Sequence, residues 1–209
     1  MPISTTTKAM EQNGILQSYR WAIGYVCAGL SSFFLCLITS VVILPAGLWV
    51  NRGFSFYGDM ASTVLPYRLA FLLCGTCLLL SAQSLPAPMP FRVMRVALRV
   101  MFPLLVGVMI TTVPNSPALD QVHRGIGVTL FLVQFSLGGW LSLVVHRDRC
   151  NLAFFLLLLF GGVLSLLGLL NVLPYLIEGQ AVFLLAFGLV VVYTMARLRI
   201  GVTRTSYDS

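Results

Sequence analysis

Long apolar runs alternate with short polar connections along almost the whole chain. An uncharged apolar run of about 18 residues or more is long enough to cross a bilayer as a helix. The runs are apolar throughout, whereas the strands of a membrane barrel alternate apolar and polar residues, so the pattern argues against a barrel. The pattern therefore predicts an all-α, polytopic membrane protein, a six-helix transmembrane bundle. Its expected spans are residues 21–49, 64–83, 93–113, 121–145, 152–174 and 180–198.

Composition supports this class and leaves little material for a soluble domain. Hydrophobic residues make up 58% of the 209 residues and charged residues 9%, and the mean hydropathy is +0.95. We divide the chain into a polar cytoplasmic N-terminal segment (1–20), a transmembrane domain (21–200) and a cytoplasmic tail (201–209). We expect the N-terminal segment to be loosely ordered. The first apolar run is too long for the core of a cleavable signal peptide.

The distribution of Lys and Arg predicts the orientation. If the N-terminus is cytoplasmic, ten of the thirteen Lys and Arg residues fall on the cytoplasmic side. The other three are Arg52, Arg68 and Arg124. Because cytoplasmic connections carry the excess of positive charge, we expect both termini to be cytoplasmic. The net charge of +7 is then a topology signal, and the absence of a soluble basic face argues against a nucleic-acid partner.

A histidine with two charged neighbours marks the expected start of the fourth span. Asp120, His123 and Arg124 are spaced i, i+3 and i+4, so they share one face if the helix starts near Ala118. An adjacent acid can hold the tautomer of a histidine, and an arginine can bind phosphate. The alternative is a polar helix start whose acid interacts with the helix dipole.

A second pair of charges belongs to the same outer side. Arg68 lies at or just inside the second span, where a charge is costly unless it is paired or reaches the interface. Asp59 precedes it by nine residues, and the chain between them can fold back. We expect the two side chains to form either a structural pair or a site for an anion or lipid headgroup.

Two segments resemble motifs of the Frag/DRAM/Sfk family and of a related bacterial family of six-span proteins. The first runs from Phe56 to Pro66 (FYGDMASTVLP) and the second from Val122 to Phe131 (VHRGIGVTLF). The resemblance implies six spans with both termini inside. It also implies a link to membrane lipid handling, namely phospholipid asymmetry, lipid-anchor remodelling or regulation of lysosomal autophagy. Asp59 and His123 are the positions that match the family's motifs.

The cysteines favour packing over redox chemistry. Cys74 and Cys77 form a C-x-x-C in the middle of the second expected span, where a thiolate would be poorly solvated. None of the five cysteines lies in an outer connection, so no disulfide framework is indicated. Small residues also recur every four positions at Gly24, Ala28 and Ser32 and at Gly161 and Ser165. This spacing predicts close helix packing at both places.

The two histidines do not suit a haem or a metal centre. His123 and His146 lie on one span, about 34 Å apart at 1.5 Å per helical residue, so one chain cannot clamp a haem with both. A metal cluster would need more ligands. We therefore expect no metal and no cofactor, and we assign His146 to a simple hairpin connection.

These observations favour a small accessory or regulatory membrane protein that associates with lipid and has no catalytic residue. In this hypothesis Asp59, Arg68, Asp120, His123 and Arg124 line an outer polar pocket that contacts a lipid headgroup or a partner protein. Two alternatives stay open. One is an interfacial lipid acyltransferase or hydrolase that uses Asp59 and His123 as an acid/base pair. The other is a structural subunit of a larger membrane complex.

Overall fold

The helices account for nearly all of the chain in the computed structural model, which describes residues 5–50, 52–86, 89–112 and 117–205. No strand occurs within these ranges. A 3₁₀ turn at Pro45–Trp49 follows the first helix, and a π-helical segment at Leu141–Val145 extends the fifth. The seven α-helices are α1 (Thr5–Ile43), α2 (Ser55–Asp59), α3 (Val64–Ser84), α4 (Phe91–Thr111), α5 (Pro117–Trp140), α6 (Arg149–Leu169) and α7 (Leu176–Thr205).

Six of the helices are long and apolar enough to cross a membrane, which confirms the predicted all-α bundle. The remaining helix, α2, is a single short turn between the first two spans. The six segments are Leu16–Ile43, Val64–Ser84, Phe91–Thr111, Ala118–Val145, Arg149–Leu169 and Leu176–Arg199.

The first span differs from its prediction at both ends. Helix α1 already begins at Thr5, so the segment expected to be loose is helical over most of its length. The helix ends at Ile43 and not near residue 49. Pro45 explains this end, because proline disfavours a helical backbone in the residue before it. Leu44 accordingly has φ −139° and ψ 75°.

Neighbouring helices pack in chain order, and the last span closes the bundle. Helix α1 contacts α3, α3 contacts α4, and α4 contacts α5; α6 and α7 form a close pair, and α7 also contacts α1. Glycine permits the tightest of these approaches. A Cβ atom on Gly161 would lie 2.5 Å from the backbone nitrogen of Phe183, and one on Gly179 would lie 2.5 Å from that of Ser165. The packing expected around Gly161 is therefore present.

Helix packing also surrounds the C-x-x-C pair. A Cβ atom on Gly29 would lie 2.8 Å from Cβ of Cys77 and 3.3 Å from the carbonyl oxygen of Cys74. The two cysteines thus lie where α3 meets α1.

The prediction of a helix contact at Gly24 is wrong. This residue is exposed, and a Cβ atom there would meet nothing within 4 Å. The contact face of α1 carries Gly29 instead.

The alternating spans leave polar residues at two ends of the bundle. We call one the His123 end; among the described residues it contains 44–50, 52–63, 112, 117–124 and 170–178. We call the other the Asp148 end; it contains residues 85–86, 89–90 and 146–149, together with the adjoining turns of α1, α4 and α7. Each end holds a group of hydrogen-bonded side chains.

Candidate functional site

Helix α2 is held against the bundle by a glycine turn. Gly53 has φ +63°, a left-handed conformation that glycine adopts without steric cost. The next backbone N–H, that of Phe54, donates to Oε1 of Gln180 on α7 at 3.0 Å. A Cβ atom on Gly53 would lie 2.6 Å from the same oxygen. The turn therefore fixes the start of α2 beside α7.

The imidazole of His123 joins three helices at this end. Ser55 Oγ, at the start of α2, lies 2.6 Å from His123 Nε2. Thr111 Oγ1, at the end of α4, lies 3.0 Å from His123 Nδ1. The side chains of Ser55 and His123 are both half-buried. Helices α2, α4 and α5 therefore meet at one polar contact.

The hydrogen bonds of Thr111 assign the tautomer of His123. A hydroxyl has one hydrogen to donate, and Thr111 Oγ1 donates it to the carbonyl of Gly107 at 2.7 Å. Thr111 Oγ1 must then accept from Nδ1–H of His123. In the neutral imidazole Nε2 is left with its lone pair, so it accepts the hydrogen of the Ser55 hydroxyl.

Three buried oxygen atoms at the His123 end make no hydrogen bond within the described part of the chain. They are the hydroxyls of Tyr57 and Tyr67 and Oε2 of Glu178. The Tyr67 hydroxyl nevertheless lies beside the side chains of Thr112 and Ser55. Burial, together with the nearby carboxylate of Glu178, raises the pKa of the Tyr57 phenol. Tyr57 is thus a hydrogen-bond donor at neutral pH.

A small cavity lies between α1, α2 and α3, next to the two tyrosines. Its volume is at the lower limit for about one water molecule, so a lipid chain does not fit inside it. Any larger ligand would have to approach the polar contact from outside the bundle. The cavity is lined by Phe33, Leu37, Ser40, Phe54, Tyr57, Tyr67, Ala70 and Phe71.

The structural pair of Asp59 and Arg68, one of the two arrangements expected from the sequence, does not form. Asp59 Oδ2 lies 3.2 Å from Nη1 of Arg52, and no ion pair among the described residues involves Arg68. Arg68 is exposed on α3. Arg52 precedes α2 and reaches its last residue across one helical turn, whereas Arg68 lies beyond the loop that follows. Asp59 therefore pairs with Arg52, from which it is separated by less of the chain than from Arg68.

The predicted face on α5 is present, but its members have different partners. Helix α5 starts at Pro117, as expected, and Arg124 Nε bonds Asp120 Oδ2 at 2.9 Å in a solvent-exposed pair. His123 points instead to Ser55 and Thr111. The carboxylates of Asp120 and Asp59 are within electrostatic range of its imidazole.

His123 therefore meets the short helix of Asp59 through Ser55, which lies one helical turn earlier. The sequence interpretation missed Ser55, Thr111 and Tyr67 as members of the site. Ser55 could have been identified from the sequence, because it stands four positions before Asp59 and residues four apart are neighbours on a helix. Thr111 and Tyr67 had none, since each is an ordinary residue of an apolar span.

A second polar group occupies the Asp148 end, in the connection that was expected to be a simple hairpin. Asp148 Oδ2 accepts from the Tyr193 hydroxyl at 2.6 Å and from His146 Nε2 at 3.0 Å. Arg197 Nε lies 3.3 Å from the same imidazole nitrogen and 3.8 Å from the carboxylate. Because a carboxylate only accepts, Nε2 carries the hydrogen that is donated to Asp148, and the guanidinium of Arg197 places a positive charge beside the carboxylate.

Asn151 lies beneath this carboxylate and is fully buried. Its backbone N–H donates to Asp148 Oδ1 at 2.8 Å, so Asp148 caps the start of α6. Its amide donates to the carbonyl of His146 at 2.9 Å and to Thr194 Oγ1 at 3.1 Å. Hydrogen bonds from Tyr193 and from the Asn151 backbone lower the pKa of Asp148. These bonds tie α5, α6 and α7 together.

No group of His, Cys, Asp and Glu within the described ranges could hold a metal ion.

Searches with protein-family models, characterised proteins and solved structures gave no match to the chain. The resemblance to the Frag/DRAM/Sfk family therefore rests on its two motifs. The fold itself defines the class, which is a multi-pass integral membrane protein.

Proposed function

We propose that the protein binds a phospholipid at the His123 end. The headgroup lies beside the polar contact of α2, α4 and α5, and the acyl chains follow the apolar flanks of the helices. The single observation that carries this proposal is the set of three unpaired oxygens at this end, those of Tyr57, Tyr67 and Glu178.

Unpaired buried oxygens favour a polar ligand. Leaving a buried polar group without a partner costs about 1–3 kcal/mol, so a ligand that supplies the partner recovers this free energy. Two phenols and one carboxylate offer donors and an acceptor. The phosphate and ester oxygens of a phospholipid can accept from the phenols.

Arg68 supplies a positive charge on the flank of the same end. It is exposed near the start of α3, and within the described part of the chain it takes part in no ion pair. Arginine side chains at such positions extend to the interface, where they meet lipid phosphates. This favours a phospholipid over an uncharged lipid.

The distribution of positive charge supports a particular orientation of this site. Ten of the thirteen Lys and Arg residues belong to the Asp148 end and the terminal segments. By the rule that positive connections stay in the cytoplasm, the His123 end faces away from the cytoplasm. The bound phospholipid would then belong to the outer leaflet.

Native mass spectrometry of the purified protein, titrated with phosphatidylglycerol and phosphatidylcholine, tests the proposal. Tyr67→Phe removes one hydroxyl and should weaken binding of both lipids about fivefold, the value of one hydrogen bond of ordinary strength. Arg68→Gln should weaken phosphatidylglycerol binding about fivefold, because one interfacial cation contributes about 1 kcal/mol. Its effect on phosphatidylcholine should be smaller.

Matched controls come from the same chain. Tyr175→Phe changes an exposed tyrosine of the same end, and Arg147→Gln changes an exposed arginine of the opposite end. Both should bind both lipids like the wild type. If Tyr67→Phe also binds them like the wild type, the unpaired oxygens do not serve a lipid and the proposal is wrong.

A further inference from the structure

The contact between Ser55 and His123 has the arrangement of an activated nucleophile. Such an arrangement needs a hydroxyl within hydrogen-bond reach of a base, and a third group that orients the base. Ser55 Oγ lies 2.6 Å from Nε2 of His123. Thr111 accepts from Nδ1, which leaves the basic nitrogen directed at the serine.

We propose that Ser55 is the nucleophile and His123 the general base for cleavage or transfer of an acyl ester of the bound lipid. This rests on the proposed function, because the lipid supplies the ester. It changes the enzymatic alternative considered from the sequence, in which Asp59 was the partner of His123. Thr111 is a positioning residue, and Asp59 pairs with Arg52 outside the reacting atoms.

The reaction is balanced with the groups present. Ser55 Oγ attacks the ester carbonyl carbon, and its proton passes to Nε2 of His123. The bond from the carbonyl carbon to the lipid alcohol then breaks, and the alcohol oxygen takes that proton. Water, or the hydroxyl of a second lipid, attacks the acyl-serine with His123 again accepting the proton. The serine leaves protonated, and the products are a fatty acid or an acylated acceptor.

Tyr67 supplies a donor for the negative charge that develops in the first step. The residue is 3% exposed. Its hydroxyl lies beside Ser55 and Thr112, without a hydrogen bond of ordinary length to either of them. A donor already placed where charge develops stabilises the transition state without reorganisation. Tyr67 is therefore the candidate donor to the ester carbonyl oxygen.

A lipid-like fluorophosphonate probe distinguishes a reactive serine from a structural hydrogen bond. The probe has an alkyl chain, and attack of the serine oxygen on phosphorus releases fluoride. The purified protein in lipid nanodiscs is treated with the probe, digested and mapped by mass spectrometry. The expected result is an adduct on Ser55 that forms in the folded protein and disappears after heat unfolding.

Three variants complete the experiment. Ser55→Ala should remove the adduct, and His123→Asn should slow its formation about a hundredfold, the lower range for loss of a general base. Ser62→Ala, an exposed serine outside the site, should label like the wild type. Thermal unfolding of each variant confirms that it is folded.

Thr111 is tested by its effect on the pH profile. Thr111→Val removes the acceptor of Nδ1–H, so the imidazole can take the other tautomer and Nε2 loses its lone pair. Labelling should slow and its pH dependence should change, while Thr111→Ser, which keeps the hydroxyl, should restore the wild-type profile. A purely structural role for Thr111 would alter stability and leave the profile of the folded protein unchanged.

The outcomes separate this inference from the proposed function. Folded wild-type protein that binds phospholipid but gives no Ser55 adduct overturns the catalytic inference and leaves lipid binding in place. An adduct that forms at the same rate in His123→Asn also overturns it, because the hydroxyl is then accessible but not activated. Protein that neither binds lipid nor labels contradicts both proposals.

Discussion

Arg52 Nη1 lies 3.2 Å from Asp59 Oδ2, and the two side chains differ sharply in exposure. Arg52 is 58% exposed and Asp59 is 8% exposed. The arginine can therefore be hydrated when its partner is lost, whereas the carboxylate cannot. This asymmetry determines how each substitution should act on stability.

Arg52→Ala should destabilise the protein by about 1–3 kcal/mol, because it leaves a buried charge without its partner. Asp59→Asn should cost less, since it removes the buried charge itself and leaves a solvated arginine. Reversible unfolding of the purified protein in mixed micelles measures both free energies.

The exposed pair of Asp120 and Arg124 is the control. Both of its side chains are largely exposed, and pairs of this kind contribute less than about 1 kcal/mol. Arg124→Ala should therefore cost less than Arg52→Ala. Equal costs for these two variants would contradict the assigned burial of Asp59.

Tyr193→Phe should reduce stability at neutral pH, because the hydroxyl bonds the Asp148 carboxylate at 2.6 Å. A hydrogen bond to a charged group is stronger than one between neutral groups, so the loss should be measurable. This bond helps to lower the pKa of Asp148 in the folded protein. The associated stability is thus present above the pKa of an unfolded aspartate, about 4, and is lost as pH falls through the folded value.

The measurement is the free energy of unfolding of both proteins at several pH values. The gap between wild type and Tyr193→Phe should be constant near neutrality and narrow as the pH falls below about 4. Tyr175→Phe, an exposed tyrosine, should show no gap at any pH. A gap for Tyr193→Phe that widens on acidification would contradict the assigned hydrogen bond to an ionised carboxylate.

Gly161→Ala and Gly24→Ala should have opposite effects. The added Cβ atom would lie 2.5 Å from a backbone nitrogen of α7 at Gly161 but would meet nothing within 4 Å at Gly24. Overpacking should cost about 1–3 kcal/mol at Gly161. At Gly24 alanine should stabilise the helix by about 0.5–1 kcal/mol. The midpoint of unfolding in increasing SDS measures both, and destabilisation at Gly24 would mean that its face is covered.

The predicted orientation can be tested with single cysteines in a cysteine-free background. Ser62→Cys, at the His123 end, should react with an impermeant maleimide in intact cells. Arg147→Cys, at the Asp148 end, should react only after the membrane is opened. The reverse result would place the termini outside and contradict the interpretation of the Lys and Arg distribution.

Run length and hydropathy were enough to predict the helical spans, because crossing a bilayer requires long apolar segments whatever their contacts. Helix ends were predicted less well. The end of α1 at Ile43 depends on Pro45, a local signal that the apolar run concealed. Helix α1 also continues towards the N-terminus through a polar segment in which hydropathy gives no indication of a helix.

The polar sites could be predicted only in part, because their contacts join distant positions. His123 was identified from its charged neighbours, but its partner Ser55 lies 68 positions away. The group at Asp148 was missed, since Asn151 and Tyr193 contribute from two different helices. The sequence presents these as unrelated polar residues, and only helix packing brings them together.

Photo-crosslinking in membranes tests the central claim, phospholipid binding at the His123 end, most directly. A phosphatidylglycerol with a photoreactive group near its headgroup is irradiated with the reconstituted protein, and the modified peptides are mapped. We predict saturable labelling in residues 52–68 and 111–124, suppressed by excess unlabelled phosphatidylglycerol and reduced in Tyr67→Phe but not in Tyr175→Phe. Labelling that is spread evenly over both ends, resists competition and is unchanged in Tyr67→Phe would contradict the claim.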